Sequence, residues 1–335
     1  MSSTSLPTTI RAVLQPDIQS TDLILTSLPF QSAKPNTDEH VIKVHATAPC
    51  AGELLWGKNF PDSVLKPGKI LVPCYDLSGE VITAPPNSPF PPGTEIYTRT
   101  PAHITGNARE YTVAKTAELA AKPANLSWEE AASIPLSTFT AYQALFEHGE
   151  LKLGWKDAAG RAENAKKRVL ITAGAGGVGV IAVQLARAAG VGSVIAITGT
   201  SNVEFVKSLG ATEVIDYRKT SLGEWARAQP KVDLVFDMLG GQTLADAWTA
   251  VREGGILLGI REPPEMRKPS GVAEGIRDSF FIMESKGEQL AELAPVIESG
   301  DLKPVVDSVF PLEEFKEAFA KVEGGHSRGK VIIKI

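Results

Sequence analysis

The chain has 335 residues, 43% of them hydrophobic, which exceeds the ~250–300 residues at which a single core stops growing, so two domains are expected. Its 34 basic and 39 acidic residues give a net charge of −5 with no Lys/Arg-rich block, so no nucleic-acid partner is expected. The polar start MSSTSLPTTIRAVL lacks the apolar core of a secretory signal, no apolar run approaches the ~20 residues of a membrane helix, and two cysteines, Cys50 and Cys74, are too few for a disulfide framework; a soluble cytoplasmic protein with no membrane partner is expected.

Up to about residue 125 the chain runs in short apolar or alternating stretches, HVIKVHATA, KILVP, GEVITA, TEIYTR and AREYTVA, cut by Pro and Gly. That texture predicts a β-rich unit. In NLSWEEAASI, Ser127 is followed three residues on by Glu130 and then by an apolar stretch, the capping box of a helix start. The Glu129–Glu130 pair is read as part of that cap, not as an acid–base couple.

From Arg168 the rhythm becomes strand, glycine turn, helix, strand: RVLITA, GAGGVG, VIAVQLARAAG, SVIAIT. Then VEFVKSLG reads as helix, EVIDY and VDLVFDML as strands, LADAWTAV as helix and GGILLGI as strand. Alternating strands and helices predict a parallel, doubly wound sheet. After about residue 284 come two helices, QLAELAPVIESG and LEEFKEAFAKVEGG, and a closing strand, KVIIKI, which is expected to return to the first domain.

Gly174, Gly176 and Gly179 form G-x-G-x-x-G between a predicted strand and a predicted helix, the context a dinucleotide-binding turn requires. Gly174 is read as permitting the tight turn, Gly176 as letting backbone N–H groups approach a pyrophosphate, and Gly179 as letting the helix pack close to the strand. Together with Ala175, Gly177 and Val178 they form the expected cradle, with the phosphate at the helix N-terminus. The second strand ends IAIT and runs into Gly199, Thr200, Ser201 and Asn202. The acid that would bond a free ribose 2′-hydroxyl is missing there, which favours NADPH over NADH. Tyr217, followed by Arg218 and Lys219, is a candidate to close over a 2′-phosphate, although Lys219 reads better as solvated charge.

The ordered segments GNAREYTVA, LSWEEAASIPLSTFTAYQAL, VLITAGAGGVGVIAVQLARAAG, VKSLGATEVIDYR, VFDMLGG and GKVIIKI resemble the medium-chain dehydrogenase/reductase superfamily. Within it, the chain is similar to the zinc-free quinone oxidoreductase and enoyl reductase branch. The resemblance implies an α/β fold, a Rossmann domain over residues 136–284 inserted into a β-rich GroES-like catalytic domain over residues 1–135 and 285–335, with NADPH held between the two. Relatives are often dimers, so a homodimer is one expectation. One departure from the family is the long charged link of about residues 152–167, read as a surface excursion.

The zinc-dependent members of this superfamily supply a catalytic Cys, a His-Glu pair and a further ligand. Cys50 falls where the first zinc ligand would lie, whereas the His-Glu position reads Tyr75-Asp76, and one thiol does not make a zinc site. No metal is therefore expected. Conjugate reduction depends less on a Lewis acid than alcohol oxidation does, because hydrogen bonds can stabilise the oxygen on which charge collects.

Cys50 also stands where zinc-free relatives commonly carry Asn, which leaves it between a substrate contact and a buried filler. Tyr75 is the candidate proton donor or oxyanion partner, the alternative being a packed aromatic. Thr140 resembles the threonine facing the nicotinamide end, and Tyr142 reads as core. Leu258, Gly259 and Ile260, with Phe280, Phe281 and Ile282, resemble the family's nicotinamide-lining segments. Glu53 and Asp76 read as loop-orienting carboxylates, and Arg328 and Lys330 as solvated turn charges. The expected activity is hydride transfer from NADPH to small quinones or activated C=C bonds; the alternatives are an enoyl reductase for carrier-bound acyl chains and a non-catalytic NADPH-binding protein.

Overall fold

A computed structural model describes residues 6–335 of the chain. Two compact units emerge. One holds the described residues up to Leu136 together with Ser285–Ala294 and Pro304–Ile335, and the other holds Ser137–Glu284 with Pro295–Lys303.

The first unit is built on β strands: β1 (Thr9–Leu14), β2 (Ile24–Pro29), β3 (Glu39–Ala48), β4 (Asp76–Thr83), β5 (Glu95–Arg99), β6 (Tyr111–Lys115), β7 (Ala120–Ala121) and, from the far end of the chain, β14 (Val306–Pro311) and β15 (Lys330–Lys334). β1 and β2 pair with each other, while the others form a sheet in the order β14-β15-β3-β4-β5-β7, with β6 on β3. The closing strand thus returns to the N-terminal sheet, pairing antiparallel with β3 through Ile333 and Thr47. Gly79 is demanded by close approach of the strands, since a Cβ there would lie 2.3 Å from the Lys43 carbonyl oxygen. Ile42, Val44, Leu77, Val81, Ile96 and Leu119 fill the core beneath, the side chains that the period-2 pattern sends to one face.

KILVP forms no strand. Its backbone is spent on neighbouring loops: Leu71 O accepts from Gln15 N at 2.9 Å, Val72 O from Gly106 N at 3.0 Å and Pro73 O from Ala108 N at 3.1 Å, while Ile70 N donates to Thr105 Oγ1 at 3.0 Å. Apolar composition alone did not distinguish this buried bridge from a ladder strand. Ser127 does cap its helix, accepting from Glu130 N at 3.1 Å while Glu130 accepts from Ser127 N at 2.9 Å.

In the second unit β8 (Arg168–Ile171), β9 (Ser193–Thr198), β10 (Glu213–Asp216), β11 (Val232–Asp237), β12 (Val251–Gly259) and β13 (Arg277–Phe280) make one sheet in the order β10-β9-β8-β11-β12-β13. Every neighbouring pair is parallel. Val169, Leu170 and Ile171 are wholly buried, as a continuous apolar run covered on both faces requires. This order is the doubly wound fold, and its direction reverses between β8 and β11, the switch point where such sheets bind ligands.

The link of residues 152–167 lies mostly exposed at the surface, and it is ordered. It contains a helix, Ala158–Asn164, capped by Asp157, and the buried Asn164 side chain donates to Lys152 O and Ala189 O and accepts from Lys152 N. Trp248 is almost fully enclosed in this unit's core and donates from Nε1 to Pro264 O at 2.9 Å. Trp248→Ala is expected to destabilise the protein by about 3–5 kcal/mol through the cavity it leaves, read as a lower urea midpoint.

Candidate functional site

The strand β8 ends on the glycine loop, whose three glycines do different work. A Cβ at Gly179 would sit 2.1 Å from Ala173 O, and one at Gly174 would sit 2.9 Å from the Ala196 side chain on β9. Gly174 is thus required by packing, and the left-handed turn falls on Ala173 (φ 49°) instead. Gly176 is free of such clashes, its nearest neighbour being Ala173 O at 3.3 Å. It begins the helix Gly177–Ala188 without a side-chain cap, so the first-turn amides of Gly177, Val178 and Gly179 face no capping side chain, as a helix end that receives an anion requires. Ala175 is buried within the same loop.

Beyond β9, Thr200, Ser201 and Asn202 form a short 3₁₀ turn. Thr200 Oγ1 donates to Asp216 Oδ2 at 2.7 Å, and Lys219 Nζ lies 3.7 Å from the same oxygen. Tyr217 is exposed, with the Arg218 guanidinium 5.7 Å from its ring centroid. Gly199 leaves room for both, since a Cβ there would be 3.1 Å from Tyr217 Oη. The end of β9 carries no acid, but Asp216 comes in from the next strand, its carboxyl held down by the Thr200 hydroxyl, the Arg218 amide and Lys219. Strand order makes that approach; position along the chain does not reveal it.

At the switch point, Thr172 Oγ1 accepts from Met238 N at 2.8 Å. The buried carboxylate of Asp237, pushed up by burial, accepts from Gly240 N at 2.7 Å. Leu258 and Gly259 end β12, and Ile260 N reaches Asp237 O at 3.2 Å. Gly259 pairs with Phe280 on β13. The aromatic pair splits: Phe280 and Ile282 are exposed, whereas Phe281 is buried with its ring 4.4 Å from His148 and 6.4 Å from Phe236. Thr140 and Tyr142 are both buried on the helix Pro135–Tyr142, and Tyr142 packs edge-on against Phe146.

In the first unit, Cys50, Glu53 and Asp76 gather around a lysine that the sequence reading placed in solvent, while Tyr75 turns to other partners. Lys330 is buried; its Nζ lies 3.1 Å from Asp76 Oδ2 and 3.3 Å from Pro49 O. Loss of hydration pulls this amine down, but Asp76, Cys50 and Glu53 more than offset it, and Lys330 stays an ammonium. Asp76 Oδ1 accepts from Leu136 N at 2.6 Å. The placement of Lys330 in solvent followed from the glycine-flanked turn; the usable signal was its position as the first residue of the terminal strand, directly before the apolar run Val331–Ile333.

Burial pushes Glu53 up to about 8, and its Oε1 accepts from Cys74 N at 3.2 Å. Cys74 adopts φ 64°, a conformation costing a non-glycine residue about 1 kcal/mol or more. That twist sets the direction of Tyr75, whose backbone oxygen accepts from Asn107 Nδ2 at 2.7 Å and Thr100 N at 2.9 Å. The Tyr75 ring stacks on Trp56 at 5.8 Å, with Arg99 5.8 Å from its centroid. Its hydroxyl oxygen accepts from Lys69 Nζ at 3.0 Å. Desolvation raises the phenol and also the half-buried Cys50 thiol, the latter to about 11.

A family model described as zinc-binding dehydrogenase matches residues 209–333. A probable zinc-binding oxidoreductase, mitochondrial, from Arthroderma benhamiae is 46% identical over 100% of this chain and 99% of its own length. The 2-methylene-furan-3-one reductase of Solanum lycopersicum is 32% identical over 99% of this chain and 80% of its own. Among solved structures, the quinone oxidoreductase from Coxiella burnetii superposes with a TM-score of 0.80 at 26% identity, covering 98% of this chain and 99% of that one. The mitochondrial relative overturns the cytoplasmic expectation. Lack of an apolar core excludes only a secretory signal, because organelle-targeting segments carry no such core.

The zinc in those names finds no fitting set of ligands. Among the described residues, no three His, Cys, Asp or Glu side chains converge as a metal site would need. The Asp76 carboxylate is already taken by the Lys330 ammonium and the Leu136 amide.

Two outcomes follow. Lys330→Met strands Asp76 as an unpaired buried carboxylate and is expected to cost about 3–5 kcal/mol in denaturant unfolding. The folded protein keeps a proton on Glu53 that the unfolded chain releases between pH 4.5 and about 8, so this group's contribution falls as pH rises through that window. Glu53→Gln should therefore gain stability relative to the native protein from pH 5 to 8, by up to about 1.4 kcal/mol per pH unit.

Proposed function

Because the chain belongs to the medium-chain dehydrogenase/reductase superfamily, in its quinone oxidoreductase-like branch, we propose that it is an NADPH-dependent, zinc-independent reductase of quinones or of the activated C=C bonds of α,β-unsaturated carbonyls. That it is an oxidoreductase follows from its relatives; the substrate class and cofactor preference are the proposal. In this reading residues 136–284 are the nucleotide-binding domain, and residues 1–135 with 285–335 the GroES-like catalytic domain.

The observation that carries the reading is the loop 174–179. It offers uncapped helix amides beside a glycine whose missing side chain leaves the backbone accessible, where a pyrophosphate is stabilised by N–H groups and the helix dipole. The 2′-phosphate of NADPH would meet Thr200, Ser201, Asn202, Tyr217 and the Arg218 guanidinium, with Lys219 offsetting Asp216. Leu258, Gly259, Ile260, Phe280, Phe281 and Ile282 would flank the nicotinamide, Phe281 as the buried support and its neighbours as the exposed surface; Thr140 would contact the same end.

When bound, reduced nicotinamide supplies a hydride. The chain's own part is to receive the resulting negative charge and deliver a proton. Tyr75 serves as the proton donor: Lys69 donates to its oxygen, which leaves the phenolic hydrogen to be given elsewhere. Cys50, kept in its thiol form, acts as an uncharged neighbour rather than a nucleophile. The name of the tomato relative describes a carbonyl conjugated to an exocyclic C=C, and that of the Coxiella protein a quinone, both of which collect charge on an oxygen that hydrogen bonds can stabilise.

Loss of absorbance at 340 nm on mixing protein, NADPH and a panel of quinones, enones and acyl thioesters tests the activity. Turnover of enones or quinones is expected, and unchanged absorbance with every member would leave only nucleotide binding. Arg218→Ala is expected to raise the Kd for NADPH about 10-fold, the loss of one charge-assisted contact, and to leave that for NADH within about twofold. Equal weakening of both would refute the assigned 2′-phosphate contact.

A further inference from the structure

Behind Tyr75 lies a second polar arrangement that the assignment of a proton donor does not use. A cavity of about 20 Å³ is enclosed by Gln15, Glu53, Lys69 and Tyr75 together with apolar neighbours that include Leu54 and Val72. That is room for one water molecule. Glu53 presents to its surroundings a buried oxygen, Oε2, with no hydrogen-bond partner in the protein, and a buried carboxyl oxygen of that kind needs one, an acceptor when it carries the proton. On the same cavity, Lys69 directs its three N–H groups to Tyr75 Oη at 3.0 Å, Ala102 O at 2.6 Å and Val64 O at 3.3 Å.

Resting on the reading of Tyr75 as donor, we infer that Lys69 and Glu53, joined by a water in this cavity, form a relay that holds the Tyr75 hydroxyl in its donating orientation and returns a proton to it after each turnover. The two-electron reduction of a conjugated carbonyl adds a hydride and one proton. The Tyr75 O–H bond breaks to give that proton to the substrate, and the phenolate oxygen takes one from the Lys69 ammonium. The neutral amine, its lone pair left facing Tyr75 Oη, rotates about its Cε–Nζ bond toward the cavity water and regains its proton from the Glu53 carboxyl through it, and Glu53 is reprotonated from solvent. No oxidant or reductant beyond the nicotinamide enters. Lys69 and Glu53 are positioning residues acting through Tyr75.

The acidities suit this transfer. Burial lowers Lys69 to about 8, partly offset by Glu53, and raises Glu53 to about 8 as well, so protons pass between groups of nearly equal affinity. The other titratable groups around Lys69 are Tyr75 itself, which accepts its hydrogen bond, and the exposed His103 in the loop after β5, whose charged form Lys69 disfavours.

The test is steady-state reduction of a small enone by NADPH from pH 6 to 10 in H₂O and D₂O. Native kcat is expected to fall above about pH 8. Lys69→Met should lower kcat roughly 10- to 100-fold, the scale of one proton-transfer contribution, leave both KM values within about threefold and abolish the fall. Lys69→Arg should recover most of the rate at pH 7 and move the fall upward. A methionine variant with native kcat and a native pH limb overturns the relay. Independently of turnover, ¹⁵N-lysine NMR of the cofactor-free protein should show Lys69 titrating near 8, and lower still in Glu53→Gln. A value at the ordinary 10.5 overturns the relay, whereas absence of any native turnover together with a low Lys69 value would sink the reductase reading alone.

Discussion

An ammonium enclosed by protein has to be surrounded by negative charge or by carbonyl oxygens, because its lost hydration costs several kcal/mol. Lys330 meets that demand with Asp76 and Pro49 O, and much of the first unit's polar interior is arranged around the requirement. It can be met only if the last strand pairs with β3, so the extreme C-terminus is fixed to a strand formed almost three hundred residues earlier. Asp76 in turn spends its second oxygen on the Leu136 amide. Residues 49–53, 74–76, 136 and 330 are therefore one electrostatic unit assembled from four stretches of chain.

The glycine loop solves a different problem, one of space. A helix must start within van der Waals contact of the strand that feeds it, and Gly179 permits this where any side chain would strike Ala173 O. Ala173 accepts the left-handed backbone that a tight strand-to-helix reversal imposes. The amides left over at the helix start are the product of that geometry. An anion-binding end is thus built without a single charged side chain, which is why composition and net charge carry no trace of it.

The architecture was largely readable. Alternation of strand and helix from Arg168 onward announced the parallel sheet, and the closing KVIIKI was correctly returned to the first unit, because period and apolar run length reflect which faces are buried. What the chain did not disclose were cross-chain partnerships. Lys330 and Arg99 look like ordinary surface cations until strand pairing carries them inward, Lys69 until the KILVP bridge does, and Asp216 enters the neighbourhood of Thr200 only through the β9–β10 register. KILVP misled because apolar residues serve a buried bridge as well as a strand. The role of Gly174 was misplaced by one residue, since a G-x-G-x-x-G pattern states where glycine stands and not which residue takes the left-handed turn.

Both cysteine thiols of this chain lie among buried carboxylates. Cys74 is wholly enclosed and its thiol is driven well above the usual range by burial and by Glu53, and Cys50 follows it upward. Alkylation requires the thiolate. Electron-poor double bonds, which modify reactive cysteines in many proteins through the thiolate, consequently meet two thiols that the same acidic setting holds against ionisation.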